Sequence, residues 1–85
     1  MRSLKRIVAR ILQETEYEIP QTLVEKIIAE AVGGDERTLR RYIDLLVGYD
    51  VLRPSKPMSR PGKFIYEVDV PRARILLGGG YVEAV

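Results

Sequence analysis

Residues 35–46, DERTLRRYIDLL, combine a helix start, an apolar stripe and a basic face, and the rest of the chain is organised around them. Aspartate at position 35 is a strong helix N-cap, and Glu36 adds a favourable negative charge to the first turn. Four apolar side chains recur at helical spacing and predict a buried stripe: Leu39, Tyr42, Ile43 and Leu46. At about 100° per residue, Arg37 and Arg41 point away from that stripe. This segment therefore predicts a helix with a core face and a face dominated by arginine.

Two further amphipathic helices are predicted before this segment. Ser3 can cap a first helix over about residues 3–15, whose apolar stripe is Leu4, Ile7, Val8, Ile11 and Leu12. A second helix begins near residues 20–22, where TLVE, residues 22–25, matches a capping box. Its apolar stripe is Leu23, Val24, Ile27, Ile28 and Ala31. The two glycines at 33–34 end it, because glycine adopts left-handed dihedral angles at little cost.

After the third helix, strand signals replace helical ones. Residues 49–53 and 63–68 predict two strands, the second being rich in aromatic and β-branched side chains. Residues 54–62 hold three prolines and a glycine, which exclude a helix and predict a stiff, basic hairpin loop. Residues 17–19 alternate before a proline and suit a short edge strand. The predicted fold is α+β, a three-helix bundle with a C-terminal β-hairpin.

The 85-residue chain has a net charge of only +2, yet its charges are segregated along the sequence. Residues 1–13 carry four basic residues and no acidic one, and residues 14–36 carry seven acidic residues and one basic. Residues 37–63 then carry seven basic residues and two acidic ones. The small total is therefore compatible with a basic binding face, although folding could also interleave these charges into surface ion pairs.

The residue types that are missing restrict the function. Without cysteine or histidine the chain has no disulfide framework, no histidine-activated nucleophile and no histidine metal site, so we expect no enzyme and no cofactor. The glycines at 78–80 lack the Lys-Ser/Thr of a phosphate loop, and no small-molecule ligand is evident. With no apolar run of about 18 residues and no secretory signal, a cytoplasmic protein without membrane contact is expected. Ten arginines against four lysines, with no asparagine, fit a thermophilic source.

The order of these elements resembles the winged helix-turn-helix family over about residues 3–70. Residues 35–46 look like its recognition helix: a cap, then threonine, an aliphatic residue, basic residues, an aromatic residue and leucine. Residues 48–52 resemble the bend into the first wing strand, and residues 66–68 the returning strand. The resemblance implies a winged helix-turn-helix domain over residues 1–70. It also implies a double-stranded DNA-binding protein, a small transcription regulator of the archaeal or viral type.

The resemblance also indicates which residues would contact DNA. A recognition helix presents its N-terminal half to base edges in the major groove, which here holds Arg37, Thr38, Arg40 and Arg41. The wing would lie on the phosphate backbone or in the minor groove through Arg53, Lys56, Arg60 and Lys63. Each of these residues also has an ordinary structural interpretation as a solvated surface charge. Arg40 in particular is placed to form an ion pair with Glu36 or Asp44.

Residues 71–85 form a tail that the resemblance does not cover. Its Ile75-Leu76-Leu77 segment is too apolar for a free tail, so it either folds back onto the first helix or pairs with another chain. We favour a homodimer through this element.

An apolar tail also keeps a second function open. Winged helices serve as protein-interaction modules in transcription, replication or chromosome-partition assemblies.

Overall fold

The computed structural model describes residues 2–59 and 61–78 of the chain. Within these ranges the protein has an α+β fold, with four helices and one antiparallel sheet of three strands. In chain order the elements are α1 (Arg2–Glu14), β1 (Glu18–Pro20), α2 (Gln21–Ala31), α3 (Glu36–Gly48), β2 (Leu52–Pro57), β3 (Phe64–Val68) and α4 (Val70–Leu77). None of these helices is long and apolar enough to cross a membrane. The predicted α+β class is confirmed, as is the order of elements through β3.

The core consists of the apolar stripes of the first three helices, closed by the sheet. The helical side chains in it are Leu4, Ile7, Val8, Ile11, Val24, Ile27, Ile28, Ile43 and Leu46. The sheet and the turns beside it add Ile19, Val51, Leu52, Tyr66 and Val68. No charged side chain is buried among the described residues, so the charged groups of all four helices remain at the surface. The stripes predicted from helical periodicity are confirmed.

The sheet has the strand order β1-β3-β2, which places β3 in the middle. Ile19 of β1 pairs with Tyr66, and Leu52 of β2 pairs with Val68, so both edge strands bring an apolar side chain to the central strand. A short strand was predicted at residues 17–19, and it is found one residue later. The sheet joins the segment that precedes α2 to the hairpin that follows α3.

The strand β2 lies further along the chain than the sequence predicts. The prediction placed this strand at residues 49–53 and the prolines that follow in a loop, but the structure places it at Leu52–Pro57, so residues 49–51 precede it. Pro54 and Pro57 fit because β2 is an edge strand, where a residue without an N–H group can turn its missing donor to solvent. The register shifts between Pro54 and Lys56, as expected where an edge strand is irregular. The hairpin loop is therefore shorter than predicted and begins at residue 58.

The start of α2 also differs from the prediction. Thr22 was expected to cap this helix in a capping box with Glu25, but the N-cap is Pro20, with no side-chain hydrogen bond. Pro20 is still paired with Ile65 in the sheet, so the strand passes directly into the helix before Thr22 is reached. Glu25 is instead held by Lys63 of the hairpin. The predicted capping box is therefore wrong, because α2 begins directly after β1, before Thr22 is reached.

The described part of the predicted tail is a helix that packs on the domain. Asp69 caps α4 through a hydrogen bond of 3.0 Å to a backbone N–H, and Gly78 ends it with a φ of 85°. Ala73 is fully buried and α4 lies against α1. Of the two alternatives for the tail, folding back onto the first helix therefore applies to residues 70–77. Residues 79–85 lie outside the described residues.

Candidate nucleic-acid interface

The arginines of α3 form one exposed face. Arg37, Arg40 and Arg41 are all exposed and together line a shallow depression on this helix. The guanidinium carbon of Arg41 lies 6.0 Å from the centre of the Tyr42 ring, within the range of a cation–π contact. None of the three arginines forms an ion pair with any described residue. The expected pairing of Arg40 with Glu36 or Asp44 is therefore wrong, and among the described residues the three arginines of this helix are not engaged in ion pairs.

Thr38 belongs to the cap of α3 rather than to its arginine face. Its hydroxyl donates to Oδ1 of Asp35 at 2.6 Å, and its backbone N–H donates to Oδ2 at 3.2 Å. The Asp35 N-cap predicted from the sequence is thereby confirmed. Because its proton is committed to Asp35, the Thr38 hydroxyl can accept a hydrogen bond from a base but cannot also donate one to a phosphate.

The cap makes the stability of the protein depend on pH. The hydrogen bond from the Thr38 side chain, followed by the one from its backbone, lowers the pKa of Asp35. A lowered pKa means that this stabilisation is present above the pKa of the unfolded chain and is lost as the pH falls through the folded value. We therefore expect D35A to lower the melting temperature at neutral pH, with the difference from wild type vanishing in strong acid. Thermal melts followed by circular dichroism measure this.

Asparagine provides the matched control for this prediction. D35N keeps a side-chain oxygen that can cap the helix but removes the titrating carboxylate. It should melt above D35A at neutral pH and lose the acid-dependent part of the wild-type curve. If D35A and wild type melted at the same temperature at neutral pH, the cap would contribute nothing.

The basic residues of the hairpin have carboxylate partners. Arg53 lies 3.3 Å from Asp69 and 3.5 Å from Glu67, while the Nζ of Lys56 lies 3.8 Å from Glu18. Lys56 keeps 59% of its side chain exposed, so its long contact leaves it available. Arg60 lies outside the described residues. Among the described basic residues of the hairpin, Lys56 has the most exposed side chain and the longest carboxylate contact, so it is the one best placed to meet a ligand.

Lys63 is part of a contact between the hairpin and α2 that the sequence did not predict. Its Nζ donates to both carboxylate oxygens of Glu25, at 2.6 and 2.7 Å. Gln21 donates to the same carboxylate at 3.1 Å and accepts from the backbone N–H of Phe64 at 3.1 Å. These four residues, hereafter the α2–β3 clamp, tie the start of β3, at the loop end of the hairpin, to the first turns of α2.

A cleft of about 460 Å³ separates α3 from the hairpin. Charged side chains of both signs line it: Glu25, Glu36, Arg40, Asp44 and Lys63. Tyr66 also lines it, and burial, followed by the negative charges of Asp44 and Glu25, raises the pKa of its phenol. In the part of the chain that the structure describes, no three acidic residues are placed to hold a metal ion. The cleft therefore lies between the helix that carries the arginines and the hairpin.

Of the eight residues predicted to contact DNA, all but Arg60 lie in the described ranges, and they fall into three groups. Arg37, Arg40 and Arg41 come together on one open face, and Thr38 is engaged in the helix cap. The hairpin cations Arg53, Lys56 and Lys63 all have carboxylate partners, and Lys56 is the most exposed of them. Comparison of the chain with models of protein families, with curated proteins and with solved structures gives no match. Function is therefore inferred from the placement and chemistry of these residues.

Proposed function

We propose that this protein is a winged helix-turn-helix protein that binds double-stranded DNA and regulates transcription, without catalysis or a cofactor. One observation carries the proposal: α3 exposes three arginines on one face with no ion pair to any described residue. The same helix carries two acidic side chains, Glu36 and Asp44, but neither forms an ion pair with these arginines. Arginine in this state keeps its donors available for the guanine edge or for phosphate oxygens.

The architecture supports the same proposal. Helices α2 and α3 are joined by a short turn that contains Gly33, with a φ of 138°, as suits a helix-turn-helix unit. The hairpin β2–β3 follows α3 along the chain, and the sheet order β1-β3-β2 is compatible with its use as a wing. An α-helix fits the major groove of B-DNA, while a projecting hairpin suits the adjacent backbone or the minor groove.

In the proposed complex the residues have different roles. Arg37, Arg40 and Arg41 lie in the major groove, and Thr38 accepts a hydrogen bond there. Lys56 and Arg60 contact the phosphate backbone or the minor groove from the wing. Arg53 and Lys63 are left out of this set, because both contact carboxylates of their own chain at shorter distances than Lys56 does.

A second candidate is a protein-interaction module. It is favoured by two large apolar side chains that are mostly exposed, Tyr17 at 70% and Ile75 at 66%. An interface built on such residues would depend weakly on salt, whereas phosphate contacts release counter-ions and weaken steeply as salt rises. Salt dependence therefore separates the two candidates.

The test is fluorescence-anisotropy titration of a labelled random duplex at several salt concentrations. If four to five cations meet phosphates or displace counter-ions, the slope of log K against log salt is expected to be about −3 to −5. A single-stranded oligonucleotide of the same length is the control and should bind more weakly. No binding to the duplex at low salt would overturn the proposal and leave α3 and the wing as a protein-docking surface.

A further inference from the structure

Two exposed patches of the molecule are complementary to each other in charge and in apolar character. The acidic patch consists of Tyr17, the most exposed large apolar side chain in the described ranges, with Glu14 and Glu16 beside it. The basic patch consists of Ile75, which is 66% exposed on α4, with Arg72 and Arg74 beside it. None of these four charged side chains forms an ion pair with a described residue. Each patch therefore combines an exposed apolar side chain with two uncompensated charges of one sign.

The exposure of Tyr17 is not the result of a loose turn. The Thr15 hydroxyl donates to the carbonyl oxygen of Glu18 at 2.7 Å and accepts from the N–H of Tyr17 at 3.1 Å. The carbonyl of Tyr17 in turn accepts from the N–H of Val68 at 2.8 Å. These bonds hold the backbone on both sides of Tyr17, so its side chain, 70% exposed, extends from a well-defined turn.

The basic patch is equally well ordered and lies on the neighbouring helix. Helix α4 is capped by Asp69 at its start and by Gly78 at its end, and its opposite face packs on α1 through Ala73. The bond between Val68 and Tyr17 places the start of α4 close to the end of α1. Both patches therefore belong to the side of the molecule formed by α1, the turn after it and α4, whereas the unpaired arginines lie on α3.

We propose that this side binds a second copy of the same chain, with the acidic patch of each copy on the basic patch of the other. In a two-fold arrangement the contact is made twice, so both patches of both copies are covered at once. Tyr17 and Ile75 would exclude water at the centre, while Glu14 and Glu16 face Arg72 and Arg74. Because both patches are already ordered, little conformational entropy opposes association. This inference does not depend on DNA binding.

A charge exchange between two variants of the full chain tests the proposal. In sedimentation velocity at low salt, the wild type is expected to pass from monomer to dimer as its concentration rises. E14R/E16R makes both patches basic, R72E/R74E makes both acidic, and each alone should weaken self-association at least about tenfold. An equimolar mixture of the two should again form a dimer, because every basic patch then meets an acidic one.

The controls separate this interface from the proposed DNA site. R37E/R41E changes the net charge as R72E/R74E does, and it should lose DNA binding while keeping the wild-type dimer. Circular dichroism and thermal melts establish that each variant is folded. A wild type that stays monomeric at every concentration would overturn the proposal, and so would folded variants whose mixture fails to associate.

Discussion

The double substitution R37A/R41A is expected to weaken binding to a specific duplex by about 2–6 kcal/mol, roughly 30-fold to 20,000-fold. Each bidentate contact of arginine with guanine contributes about 1–3 kcal/mol of discrimination, and the two side chains lie one turn apart on the same face of α3. Neither guanidinium is paired with a carboxylate in the described structure, so no internal ion pair must break before DNA is contacted. The removal of both arginines should therefore cost nearly the full energy of two contacts.

The measurement is an anisotropy titration with a selected duplex and with a random one. A matched control is R2A/R6A, which removes the same charge from the exposed side of α1 and should change affinity only slightly. Because Arg37 and Arg41 are exposed, the double variant should melt close to the wild type. Unchanged binding by a folded R37A/R41A would remove α3 from the interface, even if the protein still bound DNA elsewhere.

Most of the fold could be predicted because its determinants are local. The spacing of Ile7, Ile11, Ile27 and Ile28 marks the buried side of two helices, and each is buried as expected. The cap of α3 depends on Asp35 and a residue three positions later, so it is visible in a window of four residues. Such features depend on helical periodicity and on the donors that a helix leaves unpaired, and both are properties of the sequence alone.

The errors arose where distant segments compete with local preferences. Pro54 and Pro57 disfavour a strand locally because proline has no backbone N–H group to donate. At the edge of a sheet this loss is small, and pairing with the apolar strand β3 outweighs it. Thr22 begins a good capping motif, yet the pairing of Pro20 with β3 starts the helix earlier. In both cases pairing with the strand β3 decides the outcome, across the hairpin loop for Pro54 and Pro57 and across most of the chain for Pro20.

The candidate site shows the same division. The exposure of Arg37 and Arg41 follows from the helical period and was predicted, whereas the partner of Lys63 was not. Lys63 and Glu25 are 38 residues apart, and no sequence pattern links them. A lysine next to a predicted wing suggests a phosphate contact when only the sequence is known. In the folded protein Lys63 instead contacts Glu25, which makes it part of the α2–β3 clamp.

The α2–β3 clamp leads to the second large effect that we expect. E25Q removes a negative charge near the proposed DNA-binding face, so general electrostatics alone would make DNA binding tighter. If the clamp positions the wing, the same change should instead weaken binding about 3- to 10-fold and lower stability by about 1–2 kcal/mol. These estimates reflect the loss of a charge-assisted contact whose two side chains are only 30% and 19% exposed. The sign of the change in affinity therefore distinguishes the two interpretations.

The charge reversal E25K/K63E tests whether the pair itself matters. It keeps the net charge and restores an ion pair between α2 and the loop end of the hairpin, so affinity should return toward the wild-type value. K63M should weaken binding yet leave the salt slope close to that of the wild type, whereas loss of a phosphate contact would reduce the slope by about 0.9. Hydrogen exchange at the Phe64 N–H, which donates to Gln21, reports on the clamp without DNA and should accelerate in E25Q. Tighter DNA binding by E25Q, with exchange at Phe64 unchanged, would make Lys63 a direct DNA contact and the clamp incidental.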